Sequence, residues 1–455
     1  MGKNPNCLAI VRETYNVWER RAPLAPRHVK QLVESGVKVL IQPSSRRTYP
    51  IEQYEAAGAI VSEDVTEASL IIGVKQVPID SLVPNRTYCF YSHTIKAQPY
   101  NMPLLDALLQ KNIQIIDYEP MVSATGQSLV MSSSSKFAGR VGMLDILHGL
   151  GLRLLALGYN TPFLNISLAH NYRNLDEAQE SLRKAAEDIR RSPLPASLCP
   201  LVVVFTGSGN VSIGAQDILR HLPHEYVTVD ELPRVANNGA RDKLYACIVE
   251  REDHLVRHDG KPLTIEDYNK HPECYYSVFS SKIAPYVSIL VNCIIWMPNQ
   301  PRFLRNQDMP SLLAVKPDPN HKLGMGRLPH RLLAICDISA DPGGSLEFMT
   351  DCTTIDKPFF IHRENPTAQT DRFDVPDGVL VCSVDNMPAQ MALEATSDFG
   401  DLVLPLVPDM LKCNAEEPFE KLNTCRVVRD AMITSNGKLT PKYEYIAALR
   451  KQKGV

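Results

Sequence analysis

The chain has 455 residues, of which 44% are hydrophobic and 22% charged, with 34 prolines and 23 glycines. These values are typical of a globular protein of two or three domains, and they exclude collagen-like and strongly disordered classes. The 48 basic and 51 acidic residues give a net charge of −3, so there is no electrostatic case for binding nucleic acid or an anionic membrane. The 11 cysteines lack the spacing of zinc ligands, so we predict buried, reduced thiols and no metal site.

The first 120 residues alternate between short apolar strands and helices. The predicted strands are 8–11, 37–42, 70–74, 88–91 and 113–118, and the predicted helices are 26–35, 54–58 and 104–111. This alternation is typical of βα units, so we predict an α/β fold with mainly parallel sheets.

Two helices and a second α/β region follow. Residues 136–159 are largely apolar but carry charged side chains, which favours a buried helix over a membrane span. A solvated helix is predicted at 174–191, and 251–285 is predicted to be an irregular insertion because it lacks apolar periodicity. The predicted strands of the second region are 201–205, 226–229, 287–295, 331–335 and 378–381.

A glycine-rich loop after the first of these strands carries the most informative short motif. Gly207 permits a tight turn, and Gly209 lets backbone N–H groups approach a pyrophosphate at the start of the next helix. The third small position of the G-x-G-x-x-G pattern is Ser212, so the match is imperfect. We predict dinucleotide binding by Gly207, Ser208, Gly209, Asn210 and Val211.

The residues after the next predicted strand leave the choice of dinucleotide open. Asp230 is predicted to accept hydrogen bonds from an adenosine ribose, which favours NAD. Arg234 lies four residues further on and suits a 2′-phosphate, which favours NADP.

Basic groups follow several predicted strands of the first region. Arg12 follows the first strand, Lys75 follows the apolar run 70–74, and His93 follows the run 88–91. Ligands bind at the carboxyl ends of strands in open α/β sheets, and a guanidinium such as that of Arg21 suits a carboxylate. This edge is therefore a candidate site.

At this point the order of motifs resembles a known family. The motifs are E-x-R-x-x-L-x-P at 19–26, I-I-G-V-K-x-x-P at 71–78, Y-S-H at 91–93, the central dinucleotide loop, DISAD at 337–341 and VDNMPAQMALEAT at 384–396. They resemble the alanine dehydrogenase and lysine-forming saccharopine dehydrogenase family. Within it, the sequence is most similar to the lysine–ketoglutarate reductase half of the bifunctional semialdehyde synthases, over essentially the whole chain.

The resemblance implies two Rossmann-like domains with parallel sheets. The substrate-binding domain is expected to be discontinuous (1–135 with 391–455), and 136–390 is expected to bind the dinucleotide. The implied reaction is the NADPH-dependent reductive condensation of L-lysine with 2-oxoglutarate to saccharopine, the first step of lysine degradation by this route. NADH is expected to serve less well, although Asp230 favours it.

Family positions also imply roles for individual residues. Lys75 and His93 match the acid–base pair, so we expect His93 to move a proton at the amine and Lys75 to assist the carbinolamine and imine steps.

Further family positions imply contacts with the substrates. Arg21 and Arg12 are expected to bind carboxylates of 2-oxoglutarate. Glu19 and Glu119 are expected to contact the lysine α-amine or to tune the acid–base pair. Asp385 matches a position near the nicotinamide and the substrate.

The resemblance further implies a mitochondrial matrix location, with no targeting segment in this chain, and a C-terminal saccharopine dehydrogenase half in the full-length protein. Homo-oligomerisation is left open. Two alternatives remain, namely another amino-acid dehydrogenase of the family, such as an alanine dehydrogenase, and a non-catalytic NAD(P)-sensing module. Lys75, His93 and Arg21 argue against the sensor, which needs only the dinucleotide loop.

Overall fold

Strands and helices alternate along the chain in the computed structural model, which describes residues 4–315, 328–364 and 367–454. The strands are β1 Asn4–Ile10, β2 Lys38–Ile41, β3 Ile60–Val61, β4 Ala68–Ile72, β5 Thr87–Cys89, β6 Gln114–Ile116, β7 Val202–Thr206, β8 His224–Tyr226, β9 Leu244–Val249, β10 Leu255–Arg257, β11 Tyr275–Ser277, β12 Ile289–Asn292, β13 Ala334–Asp337, β14 Phe359–Glu364, β15 Thr367–Thr370, β16 Val379–Cys382, β17 Met432–Ser435 and β18 Lys438–Leu439. The helices are α1 Pro26–Glu34, α2 Ile51–Ala56, α3 Met102–Gln110, α4 Met131–Ala156, α5 Leu175–Arg191, α6 Asn210–Leu219, α7 Leu232–Asn238, α8 Arg251–His254, α9 Ile265–Lys270, α10 Phe279–Lys282, α11 Met309–Leu312, α12 Ala392–Val403, α13 Val407–Leu411, α14 Arg426–Asp430 and α15 Tyr445–Lys453.

The chain divides into two units. The split unit contains Met1–Ser134 and Ala392–Val455, and the central unit contains Ser135–Met391. The assignment of the split unit to substrate and of the central unit to the dinucleotide stays a prediction.

The split unit is built on one eight-stranded sheet with the order β18-β17-β6-β5-β4-β1-β2-β3. The strands from β6 to β3 are parallel, whereas β17 is antiparallel to β6. Strands such as β4 are buried along their whole length because the two faces of the sheet support separate apolar clusters.

The central unit has its own eight-stranded sheet, with the order β15-β14-β16-β13-β12-β7-β9-β8. The strands from β16 to β8 are parallel, and among the described strands of this sheet only β14 and β15 run antiparallel to their neighbours. The prediction of an α/β protein with two Rossmann-like, mainly parallel sheets is therefore confirmed. Within the described residues, no helix combines the length and apolarity that crossing a bilayer requires.

Three predicted elements of the central unit are wrong. The strand predicted at 226–229 lies at His224–Tyr226, and the strand predicted at 331–335 lies at Ala334–Asp337. Residues 251–285 are not irregular, because β10 and β11 pair antiparallel and cover a small core of Leu255, Tyr268 and Tyr275. Those three residues lie on three separate elements, β10, α9 and β11, so the periodicity of no single element indicates them.

Candidate active site

Charged side chains meet at the carboxyl edge of the parallel sheet of the split unit. Glu13, Lys75, His93 and Glu119 each follow a strand by a few residues, namely β1, β4, β5 and β6 in that order. These four strands are neighbours in the sheet, so their carboxyl ends lie side by side. We call these four residues the edge cluster.

Glu13 fixes the backbone beneath Lys75. Its carboxylate accepts hydrogen bonds from the backbone N–H of Val74 at 2.6 Å and of Lys75 at 3.0 Å. Burial is the main cause that raises the pKa of Glu13 to about 7, and the nearby Glu19 carboxylate raises it further. The two N–H groups act in the opposite direction but do not cancel this rise. The Lys75 ammonium lies 5.2 Å from the centre of the Tyr15 ring, within the range of a cation–π contact.

His93 has a left-handed backbone, with φ of 53°. The side-chain amide of Asn101 donates to the His93 carbonyl at 2.9 Å, and Gln76 donates to Asn101 at 2.8 Å and to the Ser92 carbonyl at 2.6 Å. The His93 ring stacks on the buried ring of Tyr91, with 6.1 Å between centroids and 16° between planes. The loops after β4 and β5 therefore fix the backbone of His93, and the Tyr91 ring lies against its imidazole.

The electrostatic surroundings keep His93 neutral. Partial burial, then the cations of Lys75 and Lys96, lower the pKa of His93 to about 4, so at pH 7 the ring is neutral and a weak base. The His93 Nδ1 lies 4.0 Å from Glu119 Oε2. Burial raises the pKa of Glu119, whereas Lys96 and Lys75 lower it. The edge cluster therefore combines a neutral imidazole, an ammonium and a carboxylate.

Replacing the exposed Lys96 with methionine tests this account of His93. Removing one of two nearby cations is expected to raise the pKa of His93 from about 4 toward its ordinary value of 6.5. NMR titration of the His93 Cε1–H resonance measures this change, with Lys30→Met on the exposed face of α1 as the matched control. An unchanged His93 titration in the Lys96 variant would contradict the assignment.

Arg21 and Glu19 form a buried pair. Arg21 Nε and Nη2 donate to the two carboxylate oxygens of Glu19, both at 2.8 Å, and the side chains are only 4% and 0% exposed. Burial lowers the pKa of Arg21, but Glu19 outweighs it, so the net pKa is raised. The charge of Arg21 also lowers the pKa of Glu13 and acts against the burial that raises the pKa of Tyr91.

Arg12 is placed differently. Its guanidinium pairs with Glu63, with Nη1 2.9 Å from Oε1 and a second contact from Nη2 to Oε2, and both side chains are more than a third exposed. The structure thus keeps Arg12 at the surface next to β1, whereas Arg21 lies buried beside the edge cluster.

The loop after β7 has the geometry that a dinucleotide needs. Gly207 has φ of +74°, and Gly209 is the N-cap of α6, so the backbone turns sharply from strand to helix. A Cβ built on Gly209 meets no atom within 4 Å, so there is open space where a phosphate would approach the N–H groups of Asn210 and Val211. The residues present therefore fit a dinucleotide.

The small-residue contact of this motif lies at Gly214 rather than at Ser212. Ser212 is buried and accepts a hydrogen bond from Gln216 at 2.9 Å. A Cβ on Gly214 would lie 2.0 Å from the carbonyl oxygen of Lys136, and one on Gly139 would lie 1.9 Å from that of Val211. Helices α4 and α6 therefore touch backbone to backbone.

The same sheet also carries the other predicted cofactor residues, Asp230 and Arg234, and the predicted substrate-site residue Asp385. Asp230 lies in a 3₁₀ turn after β8, is 93% exposed and is 3.9 Å from the Lys282 ammonium. Arg234 pairs with Glu231 at 3.2 Å. Asp385 is exposed just beyond the carboxyl end of β16, and its N–H donates to the carbonyl of Thr353 at 3.1 Å.

Sequence reasoning did not assign a role to Glu13 and missed Asp117. The Asp117 carboxylate accepts from the backbone N–H groups of Ser92 and Glu119, both at 2.8 Å, and burial raises its pKa to about 6. Asp117 therefore links the two loops that carry His93 and Glu119 through hydrogen bonds. The only signal in the sequence is an acid just after a strand, whose partners depend on the strand order.

Comparisons with known proteins agree with this architecture. Residues 9–138 match the family model of the alanine dehydrogenase/PNT N-terminal domain. The mitochondrial alpha-aminoadipic semialdehyde synthase of Bos taurus is 49% identical over 447 residues, which cover 98% of this chain and 48% of that protein. The alpha-aminoadipic semialdehyde synthase of Arabidopsis thaliana is 39% identical over 98% of this chain and 41% of its own. The chain thus spans about half the length of these relatives.

A solved structure shows the same fold. An L-alanine dehydrogenase superposes with a TM-score of 0.59 at 17% identity, covering 97% of this chain and 99% of its own. The family model is confined to the region of the edge cluster, whereas this structural likeness extends over both units.

Proposed function

Because the chain belongs to the alanine dehydrogenase and lysine-forming saccharopine dehydrogenase family and corresponds to the lysine–ketoglutarate reductase region of alpha-aminoadipic semialdehyde synthase, we propose that it condenses L-lysine with 2-oxoglutarate to saccharopine, with NADPH as the reductant. The supporting observation is the edge cluster, in which a neutral imidazole, an ammonium and a carboxylate lie side by side. The proposed location is the mitochondrial matrix, and the proposed partner is a C-terminal saccharopine dehydrogenase half.

The chemistry begins with proton transfer. The ε-ammonium of lysine must lose a proton before its nitrogen can form a C–N bond to the ketone carbon of 2-oxoglutarate. Neutral His93 accepts that proton, and Glu119, 4.0 Å from its Nδ1, stabilises the imidazolium. Substrate carboxylates oppose the charges of Lys75 and Lys96, which brings the low pKa of His93 closer to the working pH.

Loss of water from the carbinolamine follows. The Lys75 ammonium donates a proton to the departing hydroxyl, and Glu13 keeps the Lys75 backbone fixed during the transfer. The reduced nicotinamide, when bound, supplies the hydride that converts the imine to the secondary amine of saccharopine. The residues proposed to hold the dinucleotide are those of the loop from Gly207 to Val211, with Asp385 close to the reacting end.

The carboxylates of 2-oxoglutarate are proposed to bind at Arg21, with Arg12 at the rim. Arg21→Lys keeps the charge but loses the planar guanidinium, which can pair with Glu19 through one edge and contact a substrate carboxylate through another. The KM for 2-oxoglutarate is therefore expected to rise about tenfold, equivalent to about 1.4 kcal/mol, with a smaller change in kcat. Arg20→Lys, at the exposed neighbouring position, is the matched control. An unchanged KM in the Arg21 variant would remove this residue from the proposed site.

Absorbance of the reduced nicotinamide tests the proposed reaction. NADPH, L-lysine and 2-oxoglutarate are combined, each component is omitted in turn, and the series is repeated with NADH. We expect oxidation that requires both organic substrates and is faster with NADPH. Oxidation with pyruvate and ammonia instead would indicate an alanine dehydrogenase, and dinucleotide binding without oxidation would indicate a sensing module.

A further inference from the structure

The strand order of the central unit places β9, not β8, beside the dinucleotide loop. Thr206 at the end of β7 is paired with Val249 at the end of β9, and the Gly207 N–H donates to the Val249 carbonyl at 2.8 Å. Strand β8 pairs with the far side of β9, so it lies about 10 Å from β7 at the usual strand spacing. In Rossmann folds the adenosine ribose is recognised at the end of the strand beside the loop strand.

We infer that Arg251, two residues after β9 ends, binds the 2′-phosphate of the dinucleotide, and that residues 251–285 form a module that positions it. The inference rests on the proposed use of NADPH. Arg251 is exposed at the start of α8, and its guanidinium lies 5.2 Å from the centre of the Tyr268 ring. An arginine at this point of a Rossmann fold is the group that accommodates a 2′-phosphate.

The small core of the module holds the Tyr268 ring, against which the Arg251 guanidinium packs. Tyr268 on α9 is 5% exposed and packs edge-on against Tyr275 of β11, with 5.4 Å between centroids. Leu255 of β10 completes this core. Stacking on a fixed ring limits the motion of a long side chain, so less conformational entropy is lost when the guanidinium binds an anion.

The acidic neighbours of Arg251 are arranged in two ways. Glu250 and Asp253 form a capping box at the start of α8, in which the Asp253 carboxylate accepts from the Glu250 N–H at 2.8 Å. The Asp253 carboxylate is therefore engaged with the helix end, and Glu250 lies directly between β9 and Arg251. Glu252 is exposed on the same helix, and its negative charge repels a phosphate. Binding of the phosphate therefore depends on the guanidinium of Arg251.

Asp230 and Arg234, which were predicted from sequence to recognise the ribose or its 2′-phosphate, lie elsewhere on the sheet. Asp230 is 3.9 Å from Lys282 of α10, and Arg234 is paired with Glu231 on the same turn. Both follow β8, the edge strand. These placements favour Arg251 over Arg234 as the residue that discriminates NADP from NAD.

Isothermal titration calorimetry with NADP⁺ and NAD⁺ tests the inference on the full chain. Arg251→Gln is expected to weaken NADP⁺ at least tenfold and to change the Kd for NAD⁺ less than about twofold. Tyr268→Leu should lower the same preference by a smaller factor, and Tyr268→Phe, which keeps the aromatic face, should restore it. Arg190→Gln, an exposed charge on α5, is the control for net charge.

Several outcomes would overturn the inference. These are a preference for NAD⁺ in the unmodified protein, an equal loss of both dinucleotides in Arg251→Gln, or a loss of NADP⁺ preference in Arg234→Gln alone. If neither dinucleotide binds the unmodified protein, the proposed function fails and the inference fails with it. If NADP⁺ binds but lysine and 2-oxoglutarate are not condensed, the proposed function fails while the Arg251 comparison still decides the inference.

Discussion

Replacing Lys75 with methionine is expected to lower kcat for the proposed condensation by a factor of about 10²–10⁴, the usual contribution of a positioned acid or base. His93→Gln should have an effect of the same order, because it removes the ring nitrogen that accepts the amine proton. Steady-state rates with saturating NADPH and both organic substrates measure these effects. Because the two groups act in one sequence of proton transfers, the double variant should lose less than the product of the two factors.

The control for Lys75→Met is Lys96→Met, which removes a neighbouring cation that we place outside the chemistry. Its effect should be confined to the pH profile, because Lys96 acts on His93 only through charge. Turnover within about threefold of the unmodified protein in both Lys75→Met and His93→Gln would show that the assignment of the acid–base pair is wrong.

Two glycine-to-alanine substitutions in the central unit are expected to have opposite consequences. Gly139→Ala would put a methyl 1.9 Å from the carbonyl oxygen of Val211, so α4 and α6 must separate. We expect a loss of about 3 kcal/mol or more in the free energy of unfolding. Gly209→Ala has open space for its methyl and φ of −70°, so we expect no loss of stability, but a large loss of dinucleotide affinity.

Thermal unfolding and dinucleotide titration of both variants provide the measurement. Each glycine serves as the control for the other, because the chemical change is identical and only the surroundings differ. Equal stability of the two variants would contradict the backbone contact between α4 and α6. Undiminished dinucleotide affinity in Gly209→Ala would contradict the position proposed for the phosphates.

Features that depend on a few consecutive residues could be predicted from the sequence. The apolar run that became β7, followed by Gly207 and Gly209, predicts the turn into α6 because the conformation of the loop is fixed locally. Lys75 and His93 could be placed at strand ends for the same reason, and parallel pairing then brings those ends together. Their chemical roles stay predictions.

Features that depend on strand order could not be predicted. Asp230 was expected beside the loop because it follows the next strand in sequence, yet β9 occupies the place next to β7. Glu13 shows the same limit, since its partners Val74 and Lys75 are about 60 residues away and meet it only because β1 and β4 pair. Local patterns carry no information about which strands become neighbours.

The split unit also has a consequence for the order of events during synthesis. Strand β17 pairs with β6, where the Thr434 hydroxyl accepts from the Ile115 N–H across 319 residues of sequence. Phe399, Val403 and Met432 complete the apolar cluster on one face of the sheet. The sheet that carries the edge cluster therefore stays incomplete on the ribosome until residues 392–435 have emerged, whereas every strand of the central unit is already available. Such distant contacts make assembly slow, so the split unit is expected to complete its fold after the central unit.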